Sequence, residues 1–483
     1  MNLRWHVIPI VLALAAVHLP AIAATRTCGA PQAADDGWRT EPDPHRAGFD
    51  ADLLCDAVQT FAQGSSNRHS LLVERHGTLV VDAYRTGSDR STYSLWASKT
   101  AFDKETLHDV RSITKSVVAM LWGIAEGTRA APPADTPILD LLPELADLRG
   151  SGRERITVEH VLCMRSGLDW DESGGYSRWG NDERGLLWRA DRARYVMEKP
   201  LAHSPGTQFN YNGGLTAILG IALEARTGSN LQDYARHVLL EPLGIREWEW
   251  VTDLRGRARA YTGLRLRPRD LARLGRVMLD GGRWQNRQVV PEVWVRTLLA
   301  RCSDKEEFGH HWWSGNVFVR GKEVTWHGAL GNGGQRLFVV PSLDMVVVMT
   351  AGAYNDANIG RAQLHMLQQV VAATMEHAGK LADVAVSSTA AAESAAAPLV
   401  ETRATLLSIA TEDGGDRTYV HLKLLPRAKR PFTTARFRVR DASVLTGLQE
   451  GASVKFRAER MEGENALTSI HAVAPCVRFQ PCD

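Results

Sequence analysis

The spacing of apolar and polar residues changes period several times along the chain. In "SLLVERHGTLVVDAYR" (Ser70 to Arg85) two short apolar runs flank His-Gly, which predicts a strand, a tight turn and a second strand. "HDVRSITKSVVAMLWGIAEG" (His108 to Gly127) is apolar almost throughout its second half, the pattern of a buried helix. "TPILDLLPEL" and "ITVEHVLCMRSGLDW" predict further helical pieces punctuated by Pro and Gly. "GLTAILGIALEARTG" and "RPRDLARLGRVMLDGG" carry apolar residues at helical spacing and end on Gly. "GKEVTWHGALGNGGQRLFVVPSLDMVVVMTAGAY" then holds two strongly β-type runs joined at Pro-Ser-Leu-Asp. Helices between an early and a late hairpin predict an α/β (α+β) domain, one antiparallel sheet with helices packed against it.

The pattern breaks at "SSTAAAESAAAP" (Ser387 to Pro398), where small residues offer nothing to anchor a core. Five short strand-like runs follow, "TRATLLSIA", "RTYVHLKLL", "ARFRVR", "GASVKFRAER" and "ALTSIHAV". They predict a small all-β module. The expected division is a main domain over residues 25–380, a linker over 381–398 and a small β-barrel over 399–483.

A net charge of +2 on 483 residues argues against a nucleic-acid or polyanion binder. The start "MNLRWHVIPIVLALAAVHLPAIAATRT" joins Arg4, an apolar core too short to span a bilayer, and the tripeptide Ala-Ile-Ala. That is the pattern of a secretory signal over residues 1–24, with a periplasmic or secreted product and no stable membrane span after cleavage. Export would place all six cysteines in an oxidising compartment. Cys476 with Cys482, and Cys28 with Cys55, are plausible pairs. Cys163, in an apolar run, reads as a buried thiol. No Cys/His spacing suggests a metal, and no cofactor is expected.

The chemistry concentrates at Ser112 and Lys115, three residues apart and therefore on one helix face. A serine hydroxyl needs a base to become a nucleophile. A lysine supplies one when an apolar surround strips its charge. The helix start also offers Ser112 unpaired backbone N–H groups for an oxyanion.

Several ordered motifs here resemble the serine β-lactamase-like, penicillin-recognising hydrolases, in particular the class C-type esterase and nylon-oligomer hydrolase branch. They are "HDVRSITKSVVAMLWGIA", "ITVEHVLCMRSGLDWDE", "PGTQFNYNGGLTAILG", "GLRLRPRDLARLG" and "GNGGQRLFVVPSLDMVVVMTAG". The resemblance implies a β-lactamase/transpeptidase-like fold, with Ser112 as acylated nucleophile and Lys115 as its activator. Tyr211, in "FNYNGG", matches the tyrosine that opens the Tyr-x-Asn motif and implies a phenol of lowered pKa that shuttles protons. Counting back from "GGQRLFVVP" registers the third motif on Trp326, His327 and Gly328. The backbone N–H groups of Ser112 and Ala329 would then form the oxyanion hole, where one donor is typically worth about 10²–10³ in rate.

Two departures shape the expectation. Gly213 stands where the motif has Asn, with Asn212 adjacent, and Trp326 stands where it has Lys. An indole gives one donor and no charge, so the grip on a substrate carboxylate at that motif is lost, although Arg336 could compensate. The expected activity is hydrolysis of a small ester or amide, with weak or absent β-lactamase activity. A β-lactamase or D-Ala peptidase, and a non-catalytic penicillin-binding-like scaffold, are the alternatives. The loop Gly167 to Val196 carries Trp170, Tyr176, Trp179 and Trp188, and Trp170 is its best candidate for a cleft residue. The "HHWW" run, His310 to Trp313, reads as structural.

The C-terminal run "VHLKLLPRAKRPFTTARFRVRDASVLTGLQEGASVKF" resembles small OB-like periplasmic copper-binding proteins. That resemblance implies a metal held by His and two Met under a Trp. Here Arg430 falls at the Trp, Thr433 and Ala435 fall at the Met pair, and His421 lies one position off the His, so the copper site is expected to be degenerate.

Overall fold

The computed structural model describes residues 28–473 apart from 35, 91–95, 173–179, 357, 379–401, 413–416, 425–433, 440 and 462–463. The expected leader and linker, Tyr176, Trp179, Arg430, Thr433, Cys476 and Cys482 lie outside the described residues. The chain forms two compact units, divided between Asp383 and Val384.

The larger unit is built on a seven-stranded sheet: β1 (Arg39–Thr40), β2 (Arg68–Arg75), β3 (Thr78–Tyr84), β4 (Trp313–Val319), β5 (Lys322–Gly331), β6 (Gln335–Val340) and β7 (Met345–Ala351). Their spatial order is β1-β3-β2-β7-β6-β5-β4, antiparallel except where the short β1 meets β3. His76 and Gly77 both take positive φ, the turn that matches the twist of a two-residue hairpin between β2 and β3.

Successive side chains on a strand face opposite ways, and here both faces are covered. Leu72, Ala329, Leu337, Val346 and Val348 join the core beneath α2 (Ile113–Gly127). That core also takes in α3 (Val158–Leu162), α4 (Gly213–Thr227) and α5 (Pro268–Leu279). Leu71, Val73, Trp326, Phe338, Val347 and Met349 join the opposite core, beneath α1 (Ala51–Gln63) and α6 (Ile359–Ala372). This is the expected sheet-and-helix arrangement, closed on both sides.

Helix α2 runs through the middle of its core, and every residue from Ile113 to Ala125 is buried. Its Gly123 lets Trp294 lie against the backbone, because a Cβ there would fall 1.9 Å from the indole Cδ1. The same indole donates to Ala119 O at 2.9 Å and locks the contact.

Disulfides join Cys28 to Cys55, as expected, and Cys163 to Cys302. The second corrects the reading of Cys163 as a buried thiol: its partner lies 139 residues away, and only the fold brings the two together. Glu159 and His310 sit beside this bond, with carboxylate, imidazole and sulfur atoms all within 4.8 Å of one another. Both sulfurs are consumed by the disulfide, and His310 Nε2 pairs with Glu159 Oε2 at 2.8 Å. Among the described residues no helix is long and apolar enough to cross a membrane.

The smaller unit is a closed barrel of β8 (Thr402–Glu412), β9 (Arg417–Leu424), β10 (Thr434–Val439), β11 (Ser453–Met461) and β12 (Glu464–Ala472), in the order β8-β9-β10-β12-β11. Alternate residues, among them Leu406, Val420, Leu422, Phe437 and Phe456, fill its interior. His421 Nδ1 lies 3.0 Å from Ser408 Oγ, so that imidazole is already engaged.

Candidate active site

Ser112 is the residue that precedes α2, and Arg111 before it has a left-handed φ of 52°. A non-glycine residue in that region costs of order 1–3 kcal/mol and persists where the surroundings impose it. The turn is held by Gly331 at the end of β5, where a Cβ would meet Val110 O at 2.4 Å and Arg111 Cβ at 3.2 Å.

Lys115, one turn on, is buried at 2% exposure. Its Nζ donates to Ser112 Oγ at 3.1 Å, to Glu183 Oε2 at 3.0 Å and to Tyr261 O at 2.8 Å. These acceptors match the three hydrogens of an ammonium group. In place of the apolar surround expected to discharge the amine, the structure sets a buried carboxylate against it. Glu183 is anchored in the short helix Asp182–Gly185, whose start is capped by Asn181 Oδ1 accepting from Arg184 N at 3.2 Å.

A second acid stands next to Glu183. Glu172 Oε1 accepts from Trp170 Nε1 at 2.7 Å and from Gly213 N, while its Oε2 is buried without a partner. Burial first, then the negative charge of Glu183, pushes the Glu172 carboxyl up to about 8. It is therefore a neutral acid at pH 7.

These two acids explain the missing Asn. A Cβ at Gly213 would lie 2.3 Å from Glu183 Oε2 and 2.8 Å from Glu172 Oε1. The space a side chain would need holds two carboxyl groups, and Glu183 supplies the oxygen facing Lys115.

Tyr211 directly precedes Asn212, the residue that caps α4, and Lys115 Nζ lies 5.2 Å from its ring centroid. Its side chain and Ser112 line the same cavity. The expectation of a lowered phenol pKa is corrected: burial raises it, and the opposing pull of Lys115 and Ser112 does not cancel that effect. The phenol is a proton donor in the resting site.

Ser112 and Tyr211 open onto a cavity of about 250 Å³ with Trp313, Leu330, Gly331, Asn332 and Arg336. Trp313 lies 6.0 Å from Tyr211, centroid to centroid, with the planes 30° apart, so one end of the "HHWW" run lines the cleft. The other aromatics of the run are structural as expected: His311 is buried between Thr216 Oγ1 at 2.9 Å and Leu162 O at 2.8 Å.

The remaining expected site residues are placed elsewhere. Trp326 packs against Phe338 at 5.0 Å in the core on the opposite sheet face. Ala329 is fully buried in the α2 core, and neither His327 nor Gly328 lines the Ser112 cavity. The part of β5 that reaches the nucleophile is its end, Leu330 and Gly331, with Asn332 just beyond it. Asn212 caps α4, its Oδ1 accepting from Leu215 N at 3.2 Å. Trp170 is 4% exposed and serves Glu172 rather than the cleft. Glu172, Glu183 and Trp313 join the site without having been expected there, the first two from the Gly167–Val196 loop and the third from the end of the "HHWW" run.

Residues 58–368 match the family described as Beta-lactamase. The chain is 27% identical over 301 residues to the 6-aminohexanoate-dimer hydrolase of Paenarthrobacter ureafaciens, covering 58% of this chain and 71% of that protein. Among solved structures it is similar to a family VIII carboxylesterase, with a TM-score of 0.51 at 14% identity over 65% of this chain and 96% of the other. A penicillin-binding protein homologue from Caulobacter crescentus gives a TM-score of 0.50 at 18% identity over 70% and 99%.

Proposed function

Because this chain belongs to the Beta-lactamase family and is a serine hydrolase, we propose that it cleaves carboxyl esters or amides through an acyl-enzyme on Ser112. The observation that carries this is the Lys115 ammonium held between Ser112 Oγ and Glu183 Oε2 at the mouth of a cavity shared with Tyr211.

Glu183 Oε2, 3.0 Å from Lys115 Nζ, is placed to take a proton from it. When that proton sits on Glu183, the free amine takes the Ser112 proton as Oγ attacks the carbonyl carbon. The tetrahedral oxyanion is met by the N–H of Ser112 and by an N–H from Leu330 to Asn332, where β5 ends; this stretch lines the cavity and Ala329 does not. Tyr211 gives its proton to the departing oxygen or nitrogen and recovers one from Lys115. Water then attacks the acyl-enzyme and returns the Ser112 proton by the reverse route.

The relative named for the 6-aminohexanoate dimer supports the amide half of the reading. Trp326, packed in the far core, leaves no cation at the third motif, which supports weak β-lactam turnover. The signal-like start and the disulfides Cys28–Cys55 and Cys163–Cys302 support export to an oxidising compartment.

The test is labelling with a fluorophosphonate probe, then kinetics on short acyl p-nitrophenyl esters, anilides and nitrocefin. Labelling that disappears in Ser112→Ala, with ester or anilide turnover above nitrocefin turnover, is expected. Labelling that survives Ser112→Ala, or nitrocefin as the best substrate, overturns the reading.

A further inference from the structure

Beside the Ser112 cavity lies a second one of about 140 Å³, and Asn332 lines both. Its wall carries four guanidinium groups, Arg90, Arg111, Arg184 and Arg259. The only carboxylate in that wall among the described residues is Glu183, already bonded to Lys115. The wall itself thus presents four guanidinium groups and one carboxylate, a surplus of positive charge.

Two arginines are presented to it in a defined way. Arg111 lies with its guanidinium carbon 4.4 Å from the Tyr354 ring centroid, which sets its plane. Its acid partner, Asp109 at 3.3 Å, is shared with Arg265 at 2.7 Å, so one carboxylate serves two cations. Arg259 lines the cavity with its Nε buried and without a hydrogen-bond partner. A buried guanidinium N–H left unmatched is costly in a folded protein unless water or a ligand supplies the acceptor, and a carboxylate is the stronger acceptor of the two. Leu187 and Tyr261 add apolar wall on which a short alkyl segment could lie.

We propose that this cavity is a subsite for an anionic group of the substrate, a carboxylate, gripped by Arg259 and Arg111 while the scissile carbonyl sits at Ser112. This rests on the serine-hydrolase reading and names the substrate class: esters or amides carrying a negative charge a short alkyl chain away from the carbonyl. The third motif plays no part in this grip, since Trp326 points into the opposite core. Arginine suits the task because its planar fork pairs with a carboxylate through two parallel bonds.

The test compares kcat/KM on p-nitrophenyl hexanoate with that on the mono-p-nitrophenyl ester of adipic acid. A matched pair carries the charge on the leaving group instead, as hexanoyl esters of 4-hydroxybenzoate and 4-hydroxybenzamide. The expected result is a preference of roughly tenfold to a hundredfold for the charged member of one pair, mainly through KM, weakening as salt rises. In Arg259→Met that preference falls roughly tenfold, and Arg259→Lys restores part of it. Should Arg259→Met fail to fold, Arg184→Gln at the same wall is read by the same ratio. Equal turnover of charged and neutral members in both pairs, or a preference untouched by these substitutions, overturns the subsite while leaving the serine hydrolase standing. An enzyme that turns over no ester or amide at all sinks the parent reading instead.

Discussion

Replacing both Lys115 and Glu183 should damage the protein little more than replacing either one alone. Their charged atoms are 3.0 Å apart, with side-chain exposures of 2% and 5%. At that separation and an effective dielectric of ~20, the attraction is about 5–6 kcal/mol. Removing one partner strands the other as a buried charge, which costs about 3–5 kcal/mol. Removing both, as Lys115→Met with Glu183→Gln, strands neither, so the double variant should lose about as much as one single rather than the sum. The assay is urea unfolding followed by tryptophan fluorescence. All 14 tryptophans precede Val384, the last being Trp326, so the signal reports on the larger unit alone. The expected coupling energy is about 3 kcal/mol. Additive singles, agreeing within about 0.5 kcal/mol, would refute the claim that these groups hold each other. In the same samples Glu183→Gln should lower kcat by about 10²–10⁴, because Lys115 would then have no acid on which to leave its proton.

Two further outcomes follow from other parts of the larger unit. Glu172 is raised from 4.5 to about 8, so the folded protein binds its proton more tightly than the unfolded chain does. The stabilisation is complete below the unfolded value and drains away as pH climbs through the folded one; Glu172→Gln should flatten the fall in unfolding free energy between about pH 5 and about pH 9, and an unchanged slope would exclude the assignment. The bond from Cys163 to Cys302 spans 139 residues, and a loop of that length is worth up to about 5 kcal/mol. The paired variant Cys163→Ala with Cys302→Ala should lose roughly that much in the same fluorescence assay, and a loss below about 1 kcal/mol would count against the pairing.

How far the sequence could be read depended on the distance over which each interaction acts. Ser112 and Lys115 are one helical turn apart, so their partnership follows from spacing, and the hairpins follow from local alternation. The β5 register did not follow. Trp326 and Ala329 look equivalent to Gly331 and Asn332 in the sequence, and only the sheet face and the strand's end decide which of them meets the nucleophile. Glu183 lies 68 residues from the lysine it holds, in a loop whose aromatic residues drew attention first. Cys163 and Cys302 stand further apart still, and no local pattern marks one for the other.

The glycine that replaces the motif's asparagine has a bearing on how such sites can change. With two acid side chains crowded to within 2.8 Å of where its β-carbon would be, an asparagine cannot be introduced until both acids have withdrawn. The acids, in turn, have no room to enter while an asparagine is present. An asparagine at this position and the present placement of the two carboxyl groups therefore exclude each other, so the substitution would have to come with a change in at least one acid.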